Sequence, residues 1–334
     1  MARPFRLPRG QEPLLNIASY ARGGPRATDR LAPAQIEHIR LTVNRAPEVM
    51  VKVLSQASSD SKAVGRHFDY IGRKGDLTLE GDDGQRLPGL GGKALVEDWG
   101  LELDEEMREI KLTSLGSRKP PKLVHKLVFS MPPGTPPQKV FGAVRNLARE
   151  EFYGQHRYAM VLHTDEPHPH VHLVLKVMSE DGVRLNIKKA TLRHWRSQFS
   201  RHLRAQGVEA NATERAVRGE RRNSMKDGTY RARLRGDSTY MKSRTESVVK
   251  ELAINGGVRP EPGKRTLLET RAAVQSGWWV VAEKLAEQGE QRLAADVVRF
   301  VGKMAGPLTD REWMAREFMG AVRARTRQRE AMTL

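Results

Sequence analysis

His163-Thr164-Asp165-Glu166-Pro167-His168-Pro169-His170-Val171-His172-Leu173-Val174-Leu175-Lys176 holds four of the ten histidines of the chain. His170 and His172 stand two apart and run into Leu173-Val174-Leu175. Strand side chains repeat with period 2, so both imidazoles project from one face. Tyr158-Ala159-Met160-Val161-Leu162, just before His163, reads as a second strand. A third imidazole then arrives from the neighbouring strand across the connection Thr164 to Pro169. Three imidazoles converging from two strands make a half-open metal site, with positions left for water and a substrate oxygen. The plainer alternative is a set of structural histidines. Asp165 either orients a ligand, as metal-bound histidines require of a neighbour, or makes the turn. Glu166 is either a further ligand or a solvated loop residue.

Composition bounds what such a site serves. The 334 residues are enough for two domains. With 38% hydrophobic and 29% charged residues the chain suits a water-soluble globular protein with polar parts. No apolar run approaches the roughly 18 residues of a membrane span, so membrane insertion is not expected. Met1 to Gly24 is basic without an apolar core, which argues against a secretory signal. There are no cysteines, which excludes disulfides, thiolate-bound zinc and thiol catalysis and agrees with a cytoplasmic setting. The net charge of +18 attracts polyanions, nucleic acid first. The excess concentrates between Glu180 and Thr245, where 17 lysines and arginines face 7 acidic residues, while Glu97 to Glu109 is acidic. Aromatic residues are only 6%, so phosphate contacts should outweigh base stacking.

Along the chain, residues 1–46 read as a basic, Pro- and Gly-rich flexible arm with one short helix near Pro33 to Leu41. Val49 to Leu54 reads as a strand, and Lys62 to Arg73 as a helix with Val64, His67, Phe68 and Ile71 at helical spacing. Leu77-Thr78-Leu79 and Arg86-Leu87 flank the hairpin signal Gly81-Asp82-Asp83-Gly84. His125 to Ser130 is a strand stopped by Pro132-Pro133-Gly134, and Pro136 to Phe152 a helix. After the histidine strands, Glu180-Asp181-Gly182 turns into Val183 to Asn186, and Lys188 to Gln206 is a basic helix with Trp195, Phe199 and Leu203 inward. Strands and helices alternate without a strict βαβ rhythm, so the fold class is α+β, a mostly antiparallel sheet flanked by helices. Pro260-Glu261-Pro262-Gly263 is a linker, and Leu267 to Met304 and Asp310 to Arg327 are mostly helical. The expected organisation is a basic flexible arm (1–46), an α+β domain whose C-terminal part is basic (47–245), and a linker with a helical C-terminal region (246–334).

Histidine ligands on a polyanion-binding protein point to phosphodiester chemistry, in which a metal ion polarises the phosphate. Of six tyrosines, Tyr70 stands out, in the last turn of its helix with Arg73 and Lys74 beside it. Taken locally, it reads rather as a partly buried tyrosine at a basic helix end.

Asp69-Tyr70-Ile71-Gly72-Arg73-Lys74-Gly75, followed about ninety residues later by His163-x-Asp165 and Pro169-His170-x-His172, resembles the conjugative relaxases of the HUH endonuclease superfamily. It is most similar to the MobP-type branch that includes the agrobacterial T-DNA relaxase. Val49 to Leu54, the turn Phe129-Ser130-Met131-Pro132-Pro133-Gly134-Thr135 and the basic segment ending near Arg215 to Glu220 fit the same branch. The likeness spans about residues 48–222. It implies a site- and strand-specific DNA nicking and strand-transfer enzyme acting at an origin of transfer. Tyr70 would attack the phosphate, giving a 5′-phosphotyrosyl link and a free 3′-OH. His163, His170 and His172 would hold Mg²⁺ or Mn²⁺, with Asp165 as a further catalytic residue. Rejoining would reverse these steps without ATP. No second tyrosine lies near Tyr70, so a single-tyrosine mechanism follows; His67 is the nearest substitute nucleophile. The DNA contacts would come from Arg73, Lys74, Lys176, Lys188, Lys189, Arg193, Arg196 and Arg204. The implied partners are single-stranded DNA, accessory relaxosome proteins and a type IV coupling protein. The implied setting is the bacterial cytoplasm, with export of the protein on its bound strand. Competing readings are a replication initiator or transposase of the same superfamily, a non-catalytic DNA-binding accessory protein, and a zinc hydrolase with Glu166 as base.

Overall fold

In the computed structural model the described residues are 30–54, 59–87, 91–107, 121–220 and 227–332. The chain forms two compact units. One spans 44–212. Among the described residues the other joins 30–43 to 213–332, so the units change over at Ala212–Thr213, ahead of the junction expected near 245.

The first unit carries a six-stranded antiparallel sheet. Its strands are β1 (Met50–Leu54), β2 (Leu79–Gly81), β3 (Arg86–Leu87), β4 (Val124–Ser130), β5 (Tyr158–His163) and β6 (His170–Lys176), in the order β1-β4-β6-β5-β2-β3. The two histidine strands pair directly in the middle, with Val161 opposite His172 and His163 opposite His170. That register places all three histidines on one face. No parallel pair occurs among these strands, as the absence of a βαβ rhythm in the sequence implied.

Alternation gives the sheet two apolar faces. Leu127, Phe129, Met160, Val171, Leu173 and Leu175 point one way, into a core closed by two helices, Pro137–Phe152 and Lys189–Ala205. Trp195, Phe199 and Leu203 of the second of these helices are fully buried there, as their helical spacing required. Val124, Ala159, Val161 and Val174 point the other way. They meet Val64, Phe68 and Ile71 of helix Ser61–Ile71 and Leu95 and Val96 of helix Gly92–Asp98. We number the helices of this unit α2 (Ser61–Ile71), α3 (Gly92–Asp98), α4 (Pro137–Phe152) and α5 (Lys189–Ala205); α1 (Pro33–Val43) belongs to the other unit. Helix α2 starts at Asp60, whose carboxylate accepts from the Ala63 amide at 2.6 Å. The polar loop expected to cap it lies partly outside the described residues.

Helix α3 had no clear signal in the sequence, and tertiary contact explains it. A β-carbon on Gly92 would lie 1.9 Å from the Gly65 carbonyl oxygen of α2. The Gly92 amide also donates to Asp69 Oδ1 at 2.6 Å. Only glycine allows this approach. Gly92→Ala is therefore expected to destabilise the unit by about 3 kcal/mol, near the upper end for overpacking. A thermal melt of the variant checks it; an unchanged midpoint would show that the two helices separate at little cost.

The second unit is helical, with α1, α6 (Asp227–Arg235), α7 (Thr239–Asn255), α8 (Gly263–Glu287), α9 (Gln291–Gly302) and α10 (Asp310–Met332). Residues 1–29 of the stretch expected to form an arm lie outside the described residues. The rest is packed: Leu31 and Ile39 are buried among Trp278, Val281, Val297 and Phe300. Ile36, Ile39 and Val43, three and four apart, give α1 an apolar side that demands this burial. The Trp278 indole donates to the Val217 carbonyl at 2.9 Å. No helix among the described residues is long and apolar enough to cross a membrane.

Candidate active site

The histidine cluster sits at the mouth of the β5–β6 pair. His163, His170 and His172 each offer one ring nitrogen, and these atoms all lie within 4.8 Å of one another. Ring centroids are 4.6 to 5.2 Å apart. Neither Asp165 nor Glu166 belongs to this group of ligand atoms. The tautomers are set from outside the cluster. His163 Nε2 lies 2.7 Å from the Ile71 carbonyl oxygen, so it donates there and its Nδ1 keeps the lone pair. His170 Nδ1 lies 3.0 Å from the His168 carbonyl oxygen, which leaves Nε2. His172 Nδ1 is buried and has no hydrogen-bond partner among the described residues. An orphaned buried nitrogen is costly unless something else fills the place.

The electrostatics favour neutral rings, the form that binds metal. Burial pushes His172 down to about 3, helped by His163, His170, His67 and Arg73. Burial also lowers His163, opposed by the Ile71 carbonyl and aided by Arg73. His67 is held near 4 by burial and then by the charge of Lys126. Three imidazoles with converging nitrogens, two of them held in the neutral form, fit a divalent ion.

Tyr70 is delivered to this place by the end of α2. It is 60% exposed, whereas Phe68 and Ile71 on either side are buried. Its ring stacks on His67 at 6.3 Å between centroids, and His67 meets His172 edge-on at the same distance. Gly72 closes the helix with its amide on the Phe68 carbonyl at 2.8 Å. The chain then turns sharply through Arg73 (φ 51°) and Lys74 (φ 56°), two successive left-handed residues that are not glycine. Such backbone costs about 1–3 kcal/mol per residue. The turn folds the Arg73 guanidinium back over the Tyr70 ring, 5.2 Å from its centroid. Arg73 Nη2 also lies 3.4 Å from His163 Nδ1 and forms an ion pair with Asp165. Burial opposes ionisation of Asp165, but its own backbone amide and Arg73 together outweigh it and keep the carboxyl below its ordinary range.

The remaining candidate cations lie elsewhere. Lys176, at the far end of β6, donates to the Trp99 carbonyl at 2.7 Å and pairs with Asp104. Lys188, Lys189, Arg193, Arg196 and Arg204 belong to α5 or the residue before it, and α5 covers the sheet face opposite the histidines. Arg196 donates to the Val51 carbonyl and Arg204 to the Ala210 carbonyl. Lys126 is on the histidine face, two residues from Val128, which pairs with His172. It is buried, and burial and then Arg66 lower its ammonium to about 8. Strand parity relative to His172 was the signal that could have found it. The Ile71 carbonyl that orients His163 left no signal in the side-chain sequence.

A family model described as the nuclease domain of MobA/VirD2-like relaxases matches residues 91–208. The match contains all three histidines and Asp165; Tyr70 and Arg73 precede it. Among curated proteins no relative matches the chain.

Proposed function

We propose, from a chain that carries a MobA/VirD2-like relaxase nuclease domain, that this protein cuts one strand of DNA at an origin of transfer through Tyr70. The observation that carries the reading is the direct link between the tyrosine's helix and the histidine cluster. Ile71, the neighbour of Tyr70, accepts from the ring of His163 at 2.7 Å. The residue types and their placement fit phosphoryl transfer better than hydrolysis, because the cluster includes no carboxylate and an exposed phenol is linked to it through the His67 ring.

In this reading the phenol gives up its proton to solvent and its oxygen attacks phosphorus. A Tyr70 O–P bond forms, the P–O3′ bond breaks, and the 3′ oxygen takes up a proton to leave as a free hydroxyl. The 5′-phosphotyrosyl bond keeps the energy of the broken phosphodiester, so a 3′-OH reverses the reaction without ATP. His163, His170 and His172 would hold a divalent ion, Mg²⁺ or Mn²⁺, which when bound polarises the phosphate and offsets its charge. His67 packs against Tyr70 and limits the directions its ring can take. The strand enters as single-stranded DNA. Accessory relaxosome proteins would expose it, and a type IV coupling protein would receive the covalent product in the cytoplasm for export.

The test is a covalent adduct. Purified protein with single-stranded origin DNA and Mn²⁺ should give a DNA-linked species whose modified peptide contains Tyr70. Mapping to Tyr153, which is exposed at the end of α4, would transfer the role to that residue.

The cations of α5 serve binding rather than cleavage in this scheme. Replacing Lys188, Lys189 and Arg193 together by alanine should weaken DNA binding for all sequences. The slope of log affinity against log salt should flatten by roughly one unit for each phosphate no longer neutralised. The cleavage rate of the saturated complex should stay near wild type, because α5 lies across the sheet from the histidines. An unchanged slope would remove α5 from the DNA path.

A further inference from the structure

Asp165 has a more specific place in the geometry than its neighbourhood to a ligand suggests. Its Oδ1 stands 4.0 Å from His163 Nδ1, too far for a hydrogen bond. The ring of His163 is already oriented from its other nitrogen by the Ile71 carbonyl. Asp165 instead grips Arg73 through Oδ2. Arg73 in turn touches the Tyr70 ring and stands 3.4 Å from His163 Nδ1. Arg73 and the residue after it are both left-handed, and such strain persists where surrounding contacts hold it.

A guanidinium beside a ligand nitrogen is an awkward neighbour for a divalent cation, since the two charges repel. An oxyanion between them reverses the sign of both interactions. The planar fork carries five N–H donors and matches a phosphate in two-point contact. We infer that Arg73 is the group that grips the scissile phosphate while Tyr70 attacks, and that Asp165 is a positioning residue that acts through Arg73 rather than through His163. The inference rests on the nicking reaction proposed above. It also makes phosphate and metal binding mutually dependent: without DNA, Arg73 opposes the ion, and with DNA the shared phosphate joins them.

The experiment uses the full chain and Arg73→Gln, Arg73→Lys, Asp165→Asn and the Arg73→Gln/Asp165→Asn double variant, with Tyr70→Phe as control. Arg73 and Asp165 are partly exposed, at 34% and 53%, so the fold should tolerate these changes. Nicking is measured with saturating Mn²⁺ and oligonucleotide, and Mn²⁺ affinity is measured separately without DNA. Arg73→Gln should slow nicking on the order of 10²- to 10³-fold, as the removal of one transition-state donor does. Asp165→Asn should slow it by a similar factor, and the double variant should be no slower than the worse single one, because both changes disable the same grip on the phosphate. Arg73→Lys should recover about tenfold by keeping the charge. Without DNA, Arg73→Gln should bind Mn²⁺ about threefold or more tightly than wild type, a gain that a merely structural arginine would not produce. Effects that multiply in the double variant, or weaker Mn²⁺ binding by Arg73→Gln, would overturn the inference while adduct formation by the wild type, abolished in Tyr70→Phe, left the nicking reaction standing. No adduct from the wild type would overturn both.

Discussion

Tyr70→Phe is expected to abolish the covalent DNA adduct and to lower strand cleavage by on the order of 10⁴-fold or more, the scale on which loss of a nucleophile acts. The change removes one oxygen. Tyr70 is mostly exposed, and its hydroxyl makes no hydrogen bond among the described residues. The fold should therefore keep its melting temperature, since surface changes of this kind stay within about 0.5 kcal/mol. DNA affinity should also hold, because it comes from lysines and arginines. The ring remains, so its contacts with His67 and Arg73 remain. The measurement is a denaturing gel with labelled oligonucleotide, alongside equilibrium binding. Undiminished adduct in the variant would move the reaction to another side chain. His67, whose Nε2 is buried without a hydrogen-bond partner among the described residues, would be the first to examine.

The second large effect belongs to the histidine pair of β6. Replacing His170 and His172 together by alanine leaves His163 as the one imidazole of the cluster. Binding of Mn²⁺ at this site should disappear in a direct titration. Cleavage should fall by on the order of 10³-fold or more, since an ion's stabilisation of the transition-state charge amounts to several kcal/mol. Affinity for single-stranded DNA should change little. His172 is buried, so the pair also leaves a small void and some loss of stability is expected; a melting curve separates that from loss of the ion. Cleavage that continues at the wild-type rate in the presence of a chelator would make the cluster structural. His170→Ala alone is the gentler variant, because His170 is less buried than its partners.

Much of the arrangement around these residues follows from local rules. The alternation through His170, His172 and Val174 defines a strand with both histidines on one face, because side chains alternate whatever the strand pairs with. The alternation and the short connection to Tyr158–His163 require an antiparallel neighbour that brings His163 to the same face. The spacing of Val64, Phe68 and Ile71 defines α2 and leaves Tyr70 on its outer side. The burial of Trp195, Phe199 and Leu203 follows from helical periodicity in the same way. These features depend on neighbours a few residues apart, so the sequence alone determined them.

What the tertiary structure decided depends on contacts between distant segments. Helix α3 exists where Gly92 can press against Gly65, which no window around Gly92 records. Residues 31–43 looked like part of an arm until the apolar side of α1 met the core of α8 and α9. The helical periodicity of α5 is legible in the sequence, but which sheet face a helix covers is set by packing, and α5 covers the face away from the histidines. Asp165 could be either a ligand's partner or a turn residue from sequence. The left-handed backbone at Arg73 and Lys74 follows α2, whose Ile71 carbonyl is bonded to His163, and the Arg73 guanidinium beyond it pairs with Asp165. Periodicity assigns a residue to a face; the closing of that face against another element assigns it a partner.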